Sequence, residues 1–344
     1  MKLHAAEVVK NVIIKMTGKI IYTCLFIPAE WIAAHGLNPS RIALNSAGEK
    51  GSLEIREGLC PFAQAFIDKF VNGTEAVGII VTTLCDQMRR AFDIISVESD
   101  VPVFLFNIPK TWQNPSSHKL YLDELKRLGR FLTGLGGTTP SNEKLAEVML
   151  EYDSTRKNIL DAKDYLSARQ FSEIVTQFSR SGTCSVPKQN NRKILISGIP
   201  LAIVGGPLMK NDFEIFDIIE TAGGRIVLDA AETGERSFCA RFDRRALLDN
   251  PLIELAHAYF GHIPDAAQRP NNRLYQWLKT ELAGRKVRGI ILCRFLWCDN
   301  WHAELYQLKQ TFNLPVLDID MNGRGQNLPA QTVSRIRAFM EMFR

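Results

Sequence analysis

TTLCDQMRRAFDIISVESDVPVFLF, residues 82–106, sets the architecture because RFLWCDNWHAELYQLKQTFNLPVLDI, residues 294–319, repeats its grammar without a gap. In each, an apolar run ends in a Cys-Asp pair, an amphipathic stretch follows, and a proline introduces a second apolar run. The separation from Cys85 to Pro102 and from Cys298 to Pro315 is 17 residues in both (102 minus 85, 315 minus 298). A strand, a helix of about three turns and a second strand fit that pattern, and the helix crossover makes the two strands parallel. The recurrence reads as an internal repeat.

Working outward, KIIYTC, RIALN, AVGIIVTT and VPVFLFNIP alternate with amphipathic stretches up to about residue 110. The alternation returns after Asn191 as KILISGIP, GGRIVLDA, VRGIILCR and LPVLDID. Between the two sets, SSHKLYLDELKRLGRFLTGL and the segment from Pro140 to about residue 179 carry helical periodicity, the second opening on a Ser141 cap. SRSGTCSVPKQNNRK has loop composition and precedes a strand. The expected fold is therefore α/β, two Rossmann-like lobes with parallel sheets joined by a helical connector. The expected division is 1–114 for an N-terminal lobe, 115–190 for the connector and 191–344 for a C-terminal lobe.

The 344 residues, 46% of them hydrophobic and 23% charged, exceed what one core usually organises, which agrees with two lobes. A net charge of +5, spread over helices that also carry Asp and Glu, does not imply nucleic acid but is compatible with an anionic phosphate ligand. The apolar run near the start, IIYTCLFIPAEWIAAHGL, is interrupted by Pro28 and Glu30, so no membrane span is expected. MKLHAAEVVKNVIIKMTGK lacks a cleavage site, and a soluble, cytoplasmic protein is expected. Seven cysteines with no CxxC spacing fit reduced thiols or metal ligands better than a disulfide framework.

Cys85 and Cys298 fall between a strand and a helix, the position where open parallel sheets gather ligands. There the helix dipole and free N–H groups favour a thiolate. Cys60, in GLCPFAQAFIDKF, precedes Pro61 at a natural first helical position, so three cysteines share one local design. The plain alternative is that they are small core residues. Zinc on Cys293, Cys298 and His302 is a rival metal site, although Cys293 lies inside an expected strand and no fourth ligand is evident. Cys24, after the first strand, is a further possible neighbour of the site, while Cys184 and Cys239 read as structural. Glu30 follows the first strand as a candidate proton donor or acceptor, with helix capping as its simpler role. His257 and His262 receive no role. Gly136-Gly137 and Gly205-Gly206 lack the full glycine fingerprint and no GxxxxGK[ST] occurs, so an ATP-driven step would belong to another protein.

FIPAEWIAAHGLNPSRI, LCPFAQAFID, TTLCDQMRRAFD, FNIPKTW, FLWCDNWHAE and QTVSRIRAFMEMF, in this order along nearly the whole chain, resemble the D-component family of 2-hydroxyacyl-CoA dehydratases, in the same superfamily as benzoyl-CoA reductase subunits. The resemblance implies paired related subunits, as a homo- or heterodimer, and a [4Fe-4S] cluster held by three cysteines, which map onto Cys60, Cys85 and Cys298. It implies an acyl-CoA substrate and a lyase that expels water through a ketyl radical, using an electron from a separate ATP-dependent iron–sulfur activator. Reduction of an aromatic acyl-CoA, a double-cubane [8Fe-9S] cluster reductase and a non-catalytic electron-carrying subunit remain alternatives. Cys293, which other members need not have, and Cys24 leave the ligand set open.

Overall fold

The structure, a computed structural model, describes residues 18–45, 58–71, 73–187, 197–321 and 327–343. The first sheet is built from β1 (Lys19–Tyr22), β2 (Asn38–Arg41), β3 (Ala76–Thr82) and β4 (Val103–Phe106), in the order β2-β1-β3-β4, all parallel. The second uses β5 (Ile199–Gly205), β6 (Gly224–Ala230), β7 (Gly289–Phe295) and β8 (Val316–Met321), in the order β6-β5-β7-β8, again all parallel. The α/β fold of two Rossmann-like lobes expected from the strand pattern is therefore present.

The internal repeat holds to the residue. β3, α3 (Asp86–Glu98) and the start of β4 become β7, α11 (Asp299–Thr311) and the start of β8 when 213 (298 minus 85) is added to each number. Central strands β1, β3, β5 and β7 are buried along most of their length, as two-sided parallel strands must be. β2 sits at the sheet edge, which tolerates Pro39 in its NPSR sequence. It begins three residues before the RIALN run, which instead leaves the sheet at Arg41 toward the opposite lobe. KILISGIP starts within residues outside those described, and the observed strand is IPLAIVG. The expected lobe boundary near residue 190 and the N-terminal MKLHAAEVVKNVIIKMT also lie outside the described residues.

The remaining helices pack around these sheets. α1 (Ala29–Ala34) and α2 (Pro61–Val71) belong to the first half. α4 (Pro115–Gly134), α5 (Asn142–Ala162) and α6 (Ala168–Ser181) follow, with Ser141 capping α5 through the Lys144 N–H at 3.2 Å, as its sequence signalled. α6 carries a full capping box, Ser167 with Gln170, and stops at Gly182, whose φ of +70° is the left-handed closure a glycine allows. α7 (Glu214–Thr221), α8 (Arg244–Asp249), α9 (Pro251–Phe260), α10 (Asn272–Gly284) and α12 (Ala330–Glu341) complete the set. α9 joins the core of α1, α4 and α5: Phe260 stacks on Tyr121 at 5.0 Å between ring centroids. A second core runs across both sheets, where Phe62 meets Phe295 at 6.1 Å. No helix among the described residues is long and apolar enough to cross a membrane.

Two buried acids, Asp212 and Asp229, give the fold a pH signature, burial carrying the Asp229 carboxyl up to about 7. Burial pushes the Asp212 carboxyl up to about 7, opposed only in part by the N–H of Met209, which donates to it at 2.8 Å. The folded state then holds protons that the unfolded chain releases near pH 4, so stability falls as pH rises from about 4 to about 7 and levels off above. Asp212→Asn keeps an acceptor for Met209 and is expected to remove its share of that slope, leaving the part that Asp229 contributes. Thermal melts of both proteins at pH 5 and pH 8 check this: an undiminished difference between the two pH values in the variant would remove Asp212 as one of its sources.

Candidate functional site

The carboxyl ends of β1, β3, β5, β6 and β7 converge on one cleft of about 230 Å³ between the sheets. Thr23 and Cys24 enter it after β1, Leu84 and Cys85 after β3, Pro207 after β5, Glu232 after β6, and Trp297 and Cys298 after β7, while Cys60 arrives at the start of α2. This is the location where ligands collect in open parallel sheets, here supplied by two sheets facing each other.

The three cysteines share the local design their sequences implied. Cys85 and Cys298 stand immediately before α3 and α11, and their carbonyls accept the first helical N–H groups, from Arg89 at 3.2 Å and His302 at 2.9 Å. The Cys60 carbonyl likewise accepts from Gln64 at 3.0 Å. Its Sγ accepts the Ala63 N–H at 3.4 Å, and its own N–H donates to Gln87 Oε1 at 2.8 Å, tying α2 to the first turn of α3.

As free thiols these groups resist ionisation. Burial pushes Cys85 and Cys298 up to about 12; for Cys85 the neighbouring Cys60 and Cys298 add to the effect, and for Cys298 Cys60 does. The Met88 and Trp301 N–H groups at the helix starts act in the opposite direction, although neither completes a hydrogen bond to sulfur. Burial also raises Cys60, and it carries Cys24 to about 12 with help from Glu232. Buried thiols that repel one another when ionised are suited to a cationic centre, which supplies the missing positive charge.

The other sequence candidates lie elsewhere. Cys293 is 1% exposed inside β7, packed in the core and absent from the cleft lining. Its carbonyl accepts the Gly206 N–H at 3.1 Å, and a Cβ on Gly205 (φ +148°) would overlap that same carbonyl. Gly205 thus serves close strand-end packing. His302 is exposed, so the zinc set of Cys293, Cys298 and His302 does not assemble. Among the described residues no three His, Cys, Asp or Glu side chains gather about a single metal ion. Glu30 neither caps a helix nor enters the cleft: it is fully buried, bonded to Arg156 and to Tyr259, both at 2.6 Å. Cys184 and Cys239 pack in or against the α1, α4 and α5 core.

Glu232 and Asp265 line the cleft without having been singled out in the sequence. Burial raises the Glu232 carboxyl, and Arg41, 3.6 Å away, pulls it back. Arg41 also donates to the carbonyls of Thr23 at 2.7 Å and Glu232 at 2.8 Å, so one guanidinium fastens the first lobe to the second at the cleft floor. Fully buried Arg236 does the same within the second lobe, bonding Asp265 and the carbonyls of Gly205, Ala230 and Pro264. The strand-to-turn rule that found Cys85 applies equally to GGRIVLDA, and it points at the AET, residues 231–233, that follows.

No curated protein matches the chain. The family model described as 2-hydroxyglutaryl-CoA dehydratase, D-component, matches residues 24–343. That span begins at the cleft's Cys24, includes Cys60, Cys85 and Cys298, and runs through α12. The chain belongs to the 2-hydroxyglutaryl-CoA dehydratase D-component family.

Proposed function

We propose that this chain is the iron–sulfur subunit of a 2-hydroxyacyl-CoA dehydratase-type enzyme, removing water from a 2-hydroxyacyl-CoA by a radical route, with Cys60, Cys85 and Cys298 as ligands of a [4Fe-4S] cluster. The observation that carries the reading is the meeting of three helix-start cysteines, from both lobes, in one cleft at the carboxyl ends of the strands. A cluster is several ångströms across, so its thiolates must surround a volume and not a point. A cleft of about 230 Å³ with sulfurs on separate walls answers to that requirement, whereas a single zinc ion would need its ligands gathered together. Bound there, a low-potential cluster supplies one electron to the acyl-CoA thioester.

The chain's own residues have separable tasks. The three cysteines hold the centre at positive helix ends, which temper its negative charge. Arg41 and Arg236 fix the loops that carry Cys24, Glu232 and Asp265. Glu232 places a carboxyl beside the reacting region, where it holds or accepts a proton as water leaves. Tight apolar walls from Phe62, Phe295 and Trp301 limit water. Electron delivery by an ATP-hydrolysing activator and pairing with a second related subunit complete the reading, since no phosphate loop of the GxxxxGK[ST] kind occurs in the sequence.

Anaerobic purification followed by iron and sulfide analysis is the direct test. About four irons per chain and a brown colour lost in air are expected; about eight would favour the larger double-cubane cluster, and stoichiometric zinc without iron would overturn the reading. With cluster present, a 2-hydroxyacyl-CoA should turn over only when activator, ATP and a reductant are added. Turnover that continues after ATP is removed marks dehydration, because the electron is recycled. ATP consumed with every product marks reduction.

A further inference from the structure

Phe295, Leu296, Trp297 and Cys298 form a tight turn between β7 and α11, closed by the Cys298 N–H, which donates to the Phe295 carbonyl at 3.0 Å. Trp297, third of the four, has φ +67°, and Leu296 before it does not share the positive φ. That combination is a type II turn, whose third position ordinarily takes glycine or asparagine. A bulky side chain there crowds the backbone, and residues held in such conformations gather at ligand clamps and active sites.

Packing does not account for the indole. Trp297 is 55% exposed and belongs to none of the apolar cores, yet it lines the thiol cleft beside Cys298. The internal repeat supplies the comparison. Leu84, 213 positions earlier (297 minus 84) and likewise directly before a cleft cysteine, has no positive φ and packs against the α1, α4 and α5 core. One lip of the cleft is therefore anchored and relaxed, the other unanchored and strained. Among the described residues that line the cleft, four are exposed: Asp86, Lys110 and Asp299 are charged, and Trp297 is the one apolar group. Charged groups at a mouth stay hydrated, so only the indole can keep water out.

We infer that Trp297 is the access-determining residue of the thiol cleft, its indole standing at the mouth as a shutter that screens Cys85 and Cys298 from water and small reagents. This rests on reading those cysteines as the site. The type II turn holds the ring at the boundary, half in solvent and half on the cleft wall, where a core-packed side chain such as Leu84 could not serve. A ligand that brings apolar surface of its own replaces the indole's contact with the wall, whereas water and small polar reagents offer no such exchange.

Alkylation of the metal-free full chain by iodoacetamide, followed at each cysteine by peptide mass spectrometry, tests the assignment without calling on a cluster; iron is measured on a parallel anaerobic sample. Trp297→Gly is expected to speed modification of Cys85 and Cys298 at least about fivefold and to leave Cys184, outside the cleft, within about twofold. Its melting temperature should stay within about 3 °C of wild type, because glycine takes the turn without strain. Trp297→Phe, which keeps a ring, should stay within about twofold of wild type at all three cysteines. Unchanged alkylation of Cys85 and Cys298 in Trp297→Gly overturns the shutter, and so does a larger fall in melting temperature, which would make the indole a packing group. A chain that binds no iron but shows the expected alkylation pattern upholds the shutter and rejects the cluster reading, and a chain that holds its iron with unchanged alkylation does the reverse.

Discussion

Cys85→Ser or Cys298→Ser, prepared anaerobically, is expected to retain less than about a quarter of the wild-type iron, because a serine oxygen is a harder and poorer ligand for this iron than thiolate sulfur. Both residues are N-terminal to helices of 13 residues in the matched halves of the repeat, so Cys298→Ser removes the second lobe's hold on the centre and Cys85→Ser leaves the first lobe Cys60 alone. Cys60→Ser should behave alike, since Cys60 lines the same cleft and is tied to α3 through Gln87. Cys184→Ser and Cys239→Ser serve as controls: neither side chain lines the cleft, and their iron content should match wild type. Cys24→Ser is expected to keep its iron, leaving three thiol ligands and an open coordination position; loss there would make Cys24 a fourth ligand. Iron, sulfide and visible absorbance measured together decide each case, and any of the first three variants with full iron excludes that residue from the ligand set.

The parts of this molecule readable in its sequence are those written in local periodicity. Two gapless copies of strand, Cys-Asp, helix, proline and strand specified the parallel sheets, and the strand-to-helix position of Cys85 and Cys298 specified which sheet edge they occupy. Cys60 was legible through Pro61, which belongs at a first helical turn. Glu232 was legible only in part: the end of GGRIVLDA points toward it, but AAETGERSF has no helical or strand period and its place in the cleft depends on Arg41, 191 positions earlier in the chain. Glu30 shows the opposite failure: its position after β1 resembled that of a cleft residue, yet the turn of α1 carries the side chain inward, toward α5 and α9.

Glu30→Ala is expected to destabilise the folded chain by about 3–5 kcal/mol, the cost of stranding one member of a buried ion pair. Glu30 is 0% exposed; its Oε1 accepts from Arg156 Nη1 and its Oε2 from the Tyr259 hydroxyl, both at 2.6 Å. Removing the carboxylate leaves a guanidinium whose Nη2 already lacks a partner among the described residues, and it also orphans the Tyr259 hydroxyl. The three residues join α1, α5 and α9 and lie more than 100 positions apart in sequence, so the damage falls on long-range packing and not on one helix. Glu30→Gln keeps one acceptor oxygen for Arg156 and turns an NH2 toward the Tyr259 hydroxyl, which can accept from it, so the charge is lost but both contacts can persist, and its cost should be roughly half. Denaturant unfolding of the wild type and both variants gives the free energies, and turnover is measured on whichever protein remains folded. A structural role predicts that activity per folded molecule stays within about twofold in Glu30→Gln. If Glu30→Ala instead unfolds within about 1 kcal/mol of wild type while turnover collapses, Glu30 reaches the substrate, and the carboxylate that handles the departing proton would be Glu30 in place of Glu232.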